Sequence, residues 1–362
     1  MEETICAILQ KERIINKGMF FEMKVLTFGE MMLRLKPEAN ERILQADSFE
    51  AAYGGAEANV AVSLALLGND SQYLSKFPAN LLGDAAVGTL RRYGVDTSKV
   101  LRGAGRLGIY FFEKGASVRS TNVVYDRKDS ALALVKAAEF DWPTLLEDVG
   151  LFYFSGITPA ISPETEKAVT EACAYCVEHE IPVVCDLNYR GKMWSAAKAQ
   201  EVMNRLMPYV SICIANDEDF EAALGIKAFD GNMASGISQK ESFKAGMLEV
   251  TRRYPRCQIV ASVLRDIHSV EDSRWMGLLL KKGEFTESPV YPMHVMEGVA
   301  AGDAFGAGLV HGLLHDFANQ ELIDFAIAAS VLKLTIQGDL NLVSESDIRN
   351  VMKAGGGASL SR

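Results

Sequence analysis

Residues 298–308, GVAAGDAFGAG, join a run of small residues to the start of a helical pattern at 302–314. The run places Asp303 in the first turn of this predicted helix. A helix start presents unpaired N–H groups and a partial positive charge, and it therefore binds phosphoryl groups well. A carboxylate there can accept the proton of an attacking hydroxyl. The segment indicates either a phosphoryl-transfer site or a simple helix cap at Asp303.

A second glycine-containing segment precedes another predicted helix. Residues 53–68 read YGGAEANVAVSLALLG, in which two adjacent glycines stand before an almost wholly apolar helix at 56–67. Glycine lets a ligand approach the backbone closely, and Asn59 is a polar residue near the start of that helix. The segment indicates either a ligand contact or a turn before a core helix.

Apolar strand-like runs alternate with helical periods along the rest of the chain. The predicted strands are 24–35, 151–155, 183–187, 210–214 and 259–264. The predicted helices are 56–67, 84–93, 163–180, 302–314 and 321–336. This alternation predicts an α/β fold with a mostly parallel central sheet and helices on both faces.

Residues 107–126, LGIYFFEKGASVRSTNVVYD, follow a different pattern. Aromatic or β-branched residues alternate with polar ones around a break near Gly115, which predicts a hairpin with one solvated face. With residues 35–49 it is expected to form a small β-sheet lid. The predicted organisation is a leader (1–22), an α/β core (23–34, 50–106 and 129–350), a lid (35–49 and 107–128) and a flexible tail (351–362).

The composition limits the classes of partner. The 362 residues carry a net charge of −10, which argues against nucleic acid or an anionic membrane surface but not against small anions. No run of about 18 apolar residues occurs in the sequence, so no membrane span is expected. Cys173 and Cys176 form a C-x-x-C pair, which indicates either metal or redox chemistry or two thiols on one helix face. The cysteine usage fits a reducing, cytoplasmic location.

The two glycine-containing segments together resemble the signatures of the PfkB/ribokinase family of carbohydrate kinases, and the resemblance extends from about residue 23 to residue 341. It implies a ribokinase-like three-layer fold and a kinase that uses ATP with Mg²⁺. It also raises a monovalent cation as a further ligand. By this resemblance Asp303 is the catalytic base, and the backbone N–H groups of Ala300, Ala301 and Gly302 line the anion hole.

Two residues depart from the family pattern. Glu297 stands where the signature has aspartate, and Ala300 replaces the first glycine of the loop. Alanine keeps the N–H group that an anion hole uses. It is unfavourable only where the residue needs a positive φ, at a cost on the order of 1 kcal/mol. We therefore expect activity to survive, and the alternative is a sugar-acid-binding homologue that has lost catalysis.

Further segments are similar to the 2-keto-3-deoxygluconate kinases: GGAEAN (54–59), GIYFFEKG (108–115), YDRKDSA (125–131), SGITPAISPE (155–164) and DLNYRGKMW (186–194). The similarity implies that a sugar acid contacts Gly55, Asn59, Tyr110, Tyr125, Arg127 and Arg190. Guanidinium groups bind carboxylates through paired hydrogen bonds, so these arginines suit an acid. The alternative is a kinase for a neutral sugar such as fructose or ribose, with Arg127 as a solvated lid charge and Arg190 in a loop ion pair.

The prediction of nucleotide-binding residues depends on shorter similarities to the family. ANDEDFEAALG (215–225) resembles the family's N-x-x-E element, which implies Asn216 near ATP and Asp219, in place of glutamate, near Mg²⁺ through water. SVLRD (262–266) implies Arg265 near the phosphates together with Gly302, and GDLN (338–341) implies Gly338 near the nucleotide. An exposed lid strand favours a homodimer or a higher homo-oligomer.

Overall fold

The computed structural model describes residues 23–355. Its strands are β1 (Lys24–Phe28), β2 (Met32–Lys36), β3 (Glu50–Gly54), β4 (Ser71–Leu74), β5 (Lys76–Pro78), β6 (Leu101–Gly103), β7 (Ile109–Glu113), β8 (Asn122–Asp126), β9 (Val149–Ser155), β10 (Val183–Asp186), β11 (Ile212–Ile214), β12 (Ile259–Ile267), β13 (Asp272–Lys281), β14 (Glu284–Glu287) and β15 (Tyr291–His294). Its α-helices are α1 (Ala56–Leu66), α2 (Leu81–Arg92), α3 (Trp142–Leu146), α4 (Ile157–Ile161), α5 (Pro163–Glu178), α6 (Ala196–Leu206), α7 (Asp219–Leu224), α8 (Lys240–Arg253), α9 (Ala301–Leu314), α10 (Asn319–Lys333) and α11 (Glu345–Ala354).

The main sheet of the described part has nine strands. Eight of them follow the order β14-β13-β12-β11-β10-β9-β1-β4, and β15 also pairs with β13. Every neighbouring pair from β4 to β12 is parallel, whereas β13 is antiparallel to its three neighbours. The predicted mostly parallel sheet is thus confirmed. Parallel strands place their carboxyl ends at one edge, where loops can form a ligand site.

Alternate residues of β9 pack into opposite layers of the core. Phe152 and Phe154 belong to the apolar cluster that includes α5, whereas Leu151 and Tyr153 belong to the cluster that includes α9 and α10. A strand buried on both faces must be apolar at every position, which is why these segments read as continuous apolar runs. Helices therefore cover both faces of the sheet, as the three-layer prediction requires.

A second, four-stranded sheet has the order β3-β2-β7-β8. The hairpin predicted at 107–126 is confirmed, since β7 and β8 are antiparallel with Tyr110 opposite Tyr125. The other two strands do not follow the expected lid segment 35–49, because β2 starts at Met32, β3 extends to Gly54, and residues 37–49 between them carry no strand. The small sheet therefore takes in residues on both sides of that segment.

The predicted strand 24–35 is two strands in two different sheets. The chain leaves the main sheet at Gly29, where an added Cβ would lie 2.0 Å from a carboxylate oxygen of Glu57. No larger residue fits against this buried side chain, and the backbone turns there before β2 begins. The apolar pattern continues through the turn because both strands have buried faces, so periodicity alone could not locate the break.

Two helices have ends that differ from the predictions. Helix α2 begins three residues before the predicted start, because Asn80 accepts hydrogen bonds from the N–H groups of Leu82 and Gly83. Helix α11 continues to Ala354, so a flexible tail from residue 351 is wrong for its first residues. The predicted leader 1–22 and the end of the predicted tail, 356–362, lie outside the described residues.

Cys173 and Cys176 are buried on one face of α5, as the second of the two interpretations requires. Burial raises the pKa of Cys176 to about 12, so this thiol is protonated at neutral pH and acts as an apolar core group. Within residues 23–355, no helix combines the length and the apolar composition that a membrane crossing needs.

Candidate active site

A cavity of about 1070 Å³ lies at the carboxyl ends of the central strands, between the main sheet and the small sheet. Ligand sites of open α/β sheets form at this edge. The cavity is lined by all but one of the predicted site residues: Gly55, Asn59, Tyr110, Tyr125, Arg127, Arg190, Asn216, Asp219, Arg265, Ala300, Ala301, Gly302 and Asp303. Gly338 is the exception.

Helix α9 starts at the floor of this cavity. Ala300 precedes it with φ 60° and ψ 15°, the left-handed conformation. This is the condition under which the alanine was expected to be unfavourable, and it costs about 1 kcal/mol or more. Residues 300–302 line the cavity at the start of α9, next to Asp303 in the first helical turn, where the first N–H groups of a helix have no partner within the helix. A bound anion could accept hydrogen bonds from these groups.

Asp303 is only 7% exposed, and its Oδ2 accepts a hydrogen bond of 2.7 Å from Nδ2 of Asn59. Burial raises the pKa of Asp303 to about 7, although the bond from Asn59 and the charge of Arg190 oppose the rise. The carboxylate of Glu57 adds to it. A carboxylate with a pKa near neutrality is a suitable proton acceptor at physiological pH.

The glycine pair lies where the chain passes close to two other segments. A Cβ on Gly55 would be 2.0 Å from the carbonyl oxygen of Glu30, and one on Gly54 would be 2.4 Å from the side chain of Asp339. Neither position has room for a larger residue. The pair therefore lets the start of α1, which carries Asn59, approach both the turn after β1 and the loop of Asp339.

The small sheet supplies the upper wall of the cavity. The hydroxyl of Tyr110 donates a hydrogen bond to Oδ1 of Asp339, and the rings of Tyr110 and Tyr125 lie 6.1 Å apart. Arg127 forms an ion pair with Glu30. The second carboxylate oxygen of Glu30 is buried and has no hydrogen-bond partner among the described residues. This wall thus combines aromatic surface with a paired cation and a free acceptor.

Arg190 lies on the opposite wall and differs from Arg127 in its surroundings. It is exposed, and no ion pair of its side chain occurs between residues 23 and 355. The nearby buried acids Asp186, Asp219 and Asp303 are close enough for its charge to lower their pKa values. Its guanidinium group is therefore available to an anionic ligand.

The residues predicted to bind the nucleotide lie after β11 and on β12. Oδ1 of Asn216 accepts a hydrogen bond of 2.7 Å from the N–H of Val263, which fixes the loop after β11 against β12. Both carboxylate oxygens of Asp219 accept backbone N–H groups, from Asn216 at 2.9 Å and from Tyr189 at 2.8 Å. Burial raises the pKa of Asp219 to about 6 despite these bonds.

Arg265 points into the same region from β12. It forms an ion pair with Asp217, and its guanidinium lies 5.2 Å from the ring centre of Trp275. Gly338 is placed differently, since its N–H donates a hydrogen bond of 2.9 Å to Oε1 of Glu297 behind the cavity wall. Glycine at φ 83° fits this turn.

Several acids that line the cavity were missing from the sequence prediction, among them Glu30, Asp186 and Asp217. Asp186 ends β10, and its buried Oδ1 has no partner in the described part of the chain; the same holds for Oδ1 of Asp217. Asp186 lies at the end of a predicted strand and Asp217 follows one, and that position at the carboxyl edge of the sheet is the signal that could have identified them, whereas Glu30 lies inside the predicted strand 24–35. Oxygen atoms of this kind suit Mg²⁺ and its bound waters.

Backbone conformation marks the site as well. Asn188, Asp217 and Ala300 have positive φ angles of 37°, 36° and 60°, and all three line the cavity. Non-glycine residues adopt this region rarely, and such strain is concentrated at functional sites. The strained residues therefore lie on the parts of the cavity wall that carry the buried acids and the start of α9.

Comparison with known proteins agrees with this geometry. The model of the family described as pfkB family carbohydrate kinase matches residues 22–253. A 2-dehydro-3-deoxygalactonokinase of Haloferax volcanii is 32% identical over 339 residues, which cover 94% of this chain and 99% of the relative.

Two solved structures are similar over the same extent. The crystal structure of 2-dehydro-3-deoxygluconokinase from Thermotoga maritima has 43% identity and a TM-score of 0.87, with 91% of this chain and 99% of that chain covered. A PfkB family carbohydrate kinase from Listeria grayi has 31% identity and a TM-score of 0.84 at the same coverage of both chains.

Proposed function

Since this chain belongs to the pfkB family of carbohydrate kinases, we propose that it transfers the γ-phosphoryl group of ATP to the C6 hydroxyl of 2-keto-3-deoxygluconate. The relatives of 32% and 43% identity are both named as kinases of a dehydro-deoxy sugar acid, which supports an acid as the acceptor. The observation that carries the proposal is the buried carboxylate of Asp303 in the first turn of α9, beside the loop 300–302.

The chemistry follows from this placement. The sugar's O6 attacks the γ-phosphorus while Asp303 accepts its proton, and the bond from the γ-phosphorus to the bridging oxygen of ADP breaks. The N–H groups of Ala300, Ala301 and Gly302 stabilise the charge on the transferring group. The pKa of about 7 leaves a substantial fraction of Asp303 ionised at neutral pH. The products are ADP and the sugar acid 6-phosphate.

The acid end of the sugar is assigned to the arginines. Arg190 has no ion pair in the described structure, so its full hydrogen-bonding capacity is open to a carboxylate. Arg127 adds a second charge from the small sheet, although its pair with Glu30 reduces that contribution. Gly55, Asn59, Tyr110 and Tyr125 complete the predicted sugar contacts, and the free oxygen of Glu30 is a further acceptor for a sugar hydroxyl.

We propose that ATP binds in the half of the cavity formed by Asn216, Arg265 and the start of α9. Mg²⁺ neutralises charge on the ATP phosphates when it is bound. Asp219 would hold it through water, and the unpartnered oxygens of Asp186 and Asp217 fit the same hydrated ion. Gly338 lies behind the cavity, so its predicted part in nucleotide binding would have to be indirect.

A coupled assay of ADP release tests the proposal. The panel consists of 2-keto-3-deoxygluconate, its galactonate epimer, fructose and ribose, with product mass confirming the phosphorylated sugar. We expect turnover on a keto-deoxy acid at least about 100-fold above that on the neutral sugars, as loss of a charged hydrogen-bonded pair implies. Preference for fructose or ribose would support the neutral-sugar alternative instead.

A catalytically impaired binding protein is the second alternative, raised by Ala300 and Glu297. Turnover that disappears in Asp303→Asn but persists in Asp141→Asn, an exposed acid outside the cavity, would exclude it. Sugar-acid binding without wild-type turnover would favour it. A cytoplasmic location and a homodimer remain predictions, and sedimentation of the purified chain tests the second of them.

A further inference from the structure

A buried ion cluster lies directly behind the anion-hole loop. Arg34 on β2 is 3% exposed; its Nη1 donates a hydrogen bond of 2.8 Å to Oδ2 of Asp339, and its Nη2 donates one to Oε1 of Glu297. Both acids are buried as well, Glu297 at 1% and Asp339 at 4% exposure. One guanidinium group thus bridges two carboxylates that are almost completely shielded from solvent.

The cluster joins three parts of the site. Glu297 immediately precedes the loop that leads to Ala300, and its Oε1 also accepts the N–H of Gly338 at 2.9 Å. Asp339 accepts the hydroxyl of Tyr110 from the small sheet and itself lines the cavity. Arg34 therefore links the start of the anion-hole loop to the loop that carries Gly338 and Asp339. Through Asp339 it is also linked to Tyr110 of the small sheet.

Two further cations lie beside these carboxylates. Lys36 Nζ lies 3.7 Å from Oε2 of Glu297, and the buried Lys333 Nζ donates a hydrogen bond of 2.7 Å to the carbonyl oxygen of Ile336. Lys36 also pairs with the exposed Glu50 at 3.2 Å, so three cationic side chains accompany three carboxylates, of which those of Glu297 and Asp339 are buried. Buried carboxylates need such compensation, because an unpaired charge in a dry site is strongly destabilising.

A monovalent metal ion at this place would need the same oxygen atoms. Ions of that type bind carboxylate and carbonyl oxygens, and those beside the loop are the buried carboxylates of Glu297 and Asp339 and the carbonyl oxygen of Ile336. Arg34 and Lys333 already occupy them, and the ring of Phe112 covers the guanidinium at 4.5 Å from its centre. The residues present therefore do not fit a monovalent cation site.

We propose that Arg34 is a built-in cation that positions the anion-hole loop and makes this kinase independent of monovalent metal ions. Arg34 does not line the cavity, so it is a positioning residue that acts through Glu297 and the loop. The effect on turnover depends on the proposed kinase function, whereas the absence of ion binding does not. The two parts can therefore be tested separately.

Ion binding is measured first, without substrates. Thallium(I) serves as a potassium probe in a ²⁰⁵Tl NMR titration of the full chain, and thermal unfolding is compared in potassium chloride and N-methylglucamine chloride of equal ionic strength. We expect no saturable thallium shift and equal melting temperatures. A saturable site in the wild-type protein would overturn the proposal, whether or not the protein turns over any sugar.

Turnover is measured next with MgATP and the preferred sugar acid. Wild-type kcat should change less than about twofold between the two salts, because the cation is part of the chain. Arg34→Ala should lower kcat about tenfold or more with little change in the KM for sugar, since the loop acts on the transferring group. Potassium should restore part of the lost kcat by entering the freed space between the carboxylates.

Two further variants keep the result interpretable. Arg34→Lys retains one charge but cannot bridge both acids, so it should fold and show an intermediate kcat. Arg42→Ala removes an exposed arginine near the same sheet, outside the cavity, and should behave as wild type in both salts. Wild-type activation of about fivefold or more by potassium, or full kcat in Arg34→Lys and Arg34→Ala, would overturn the positioning role.

Discussion

The side-chain amide of Asn59 donates a 2.7 Å hydrogen bond to Oδ2 of Asp303, 244 positions later in the chain. The bond joins the start of α1 to the start of α9, so the two glycine-containing segments meet at one carboxylate. It stabilises the ionised form of Asp303 and lowers the pKa that burial raises. It also fixes the orientation of the carboxylate toward the cavity. One contact thus sets both the position and the protonation of the proposed base.

Replacing Asn59 by leucine should move the pH dependence of turnover. Without the hydrogen bond the pKa of Asp303 rises above about 7, and kcat at neutral pH should fall about tenfold because a charged hydrogen bond of this kind contributes about 1.5–3 kcal/mol. The measurement is a pH–rate profile of the variant. Ser63→Ala on the same helix is the matched control, since its buried hydroxyl has no described partner. An unchanged profile in Asn59→Leu would show that the bond does not tune the base.

The wild-type profile should have a single acid limb governed by Asp303. As the pH falls below about 7, kcat/KM for the sugar acid should decrease tenfold per pH unit, since only the ionised carboxylate accepts a proton. Above that pH the rate should level off. Saturating MgATP keeps nucleotide binding out of the profile. A flat profile down to about pH 5 would contradict the assignment of Asp303 as the base.

Asp303→Asn should stabilise the fold while abolishing turnover. The pKa of this acid is raised from 3.8 to about 7, so the folded state binds more protons than the unfolded state between those values, and stability falls as the pH rises through that window. Removing the charge should therefore raise the free energy of unfolding at pH 8 by up to about 4 kcal/mol, with little change at pH 4. Denaturant unfolding at both pH values gives the difference. Equal stability at pH 8 would argue against the raised pKa.

The local residue pattern was sufficient to predict the helix start and the hairpin that carry the proposed chemistry. The small residues before Asp303 predicted a helix start, and α9 begins at Ala301. Alternation in 107–126 predicted a hairpin with one solvated face, and β7 and β8 form it. In both cases the signal is local, because capping and alternation depend on residues within one turn or one strand of each other.

Contacts over long separations were not predictable in this way. In MLRLK of β2, alternation indicates that Arg34 and Lys36 share a face, but not that the face is buried. Their burial depends on Glu297 and Asp339, more than 250 positions away, which neutralise them. The positive φ of Ala300 has no signal in its residue type either. Such features follow from tertiary packing, and a single sequence does not encode them in any local pattern.

Ala300→Gly should stabilise the protein without loss of activity. Alanine in the left-handed region costs about 1–2 kcal/mol, which glycine avoids, whereas glycine adds about 0.4–1 kcal/mol of unfolded-state entropy. The net gain expected in denaturant unfolding is about 0.5–1 kcal/mol. Ala85→Gly, at an exposed position inside α2, should instead destabilise by about 1 kcal/mol. Equal destabilisation by both changes would mean that Ala300 is not strained.

Arg190 should contribute more to recognition of the acid than Arg127 does. Arg190 has no ion pair in the described structure, so all of its charge is available to a ligand, whereas Arg127 is paired with Glu30. Removing a charged hydrogen-bonded partner of a carboxylate costs about 1.5–3 kcal/mol, which corresponds to a loss of about 10- to 150-fold in kcat/KM.

The comparison that decides this uses Arg190→Ala and Arg127→Ala on a sugar acid and on a neutral sugar. We expect Arg190→Ala to lower kcat/KM for the acid by one to two orders of magnitude, Arg127→Ala to lower it less, and neither to change the slow reaction with fructose more than about threefold. Arg252→Ala, an exposed arginine on α8, serves as the control. If both sugars lose the same factor, these arginines act on the phosphates or on the fold, because only a contact to the carboxylate can distinguish an acid from a neutral sugar.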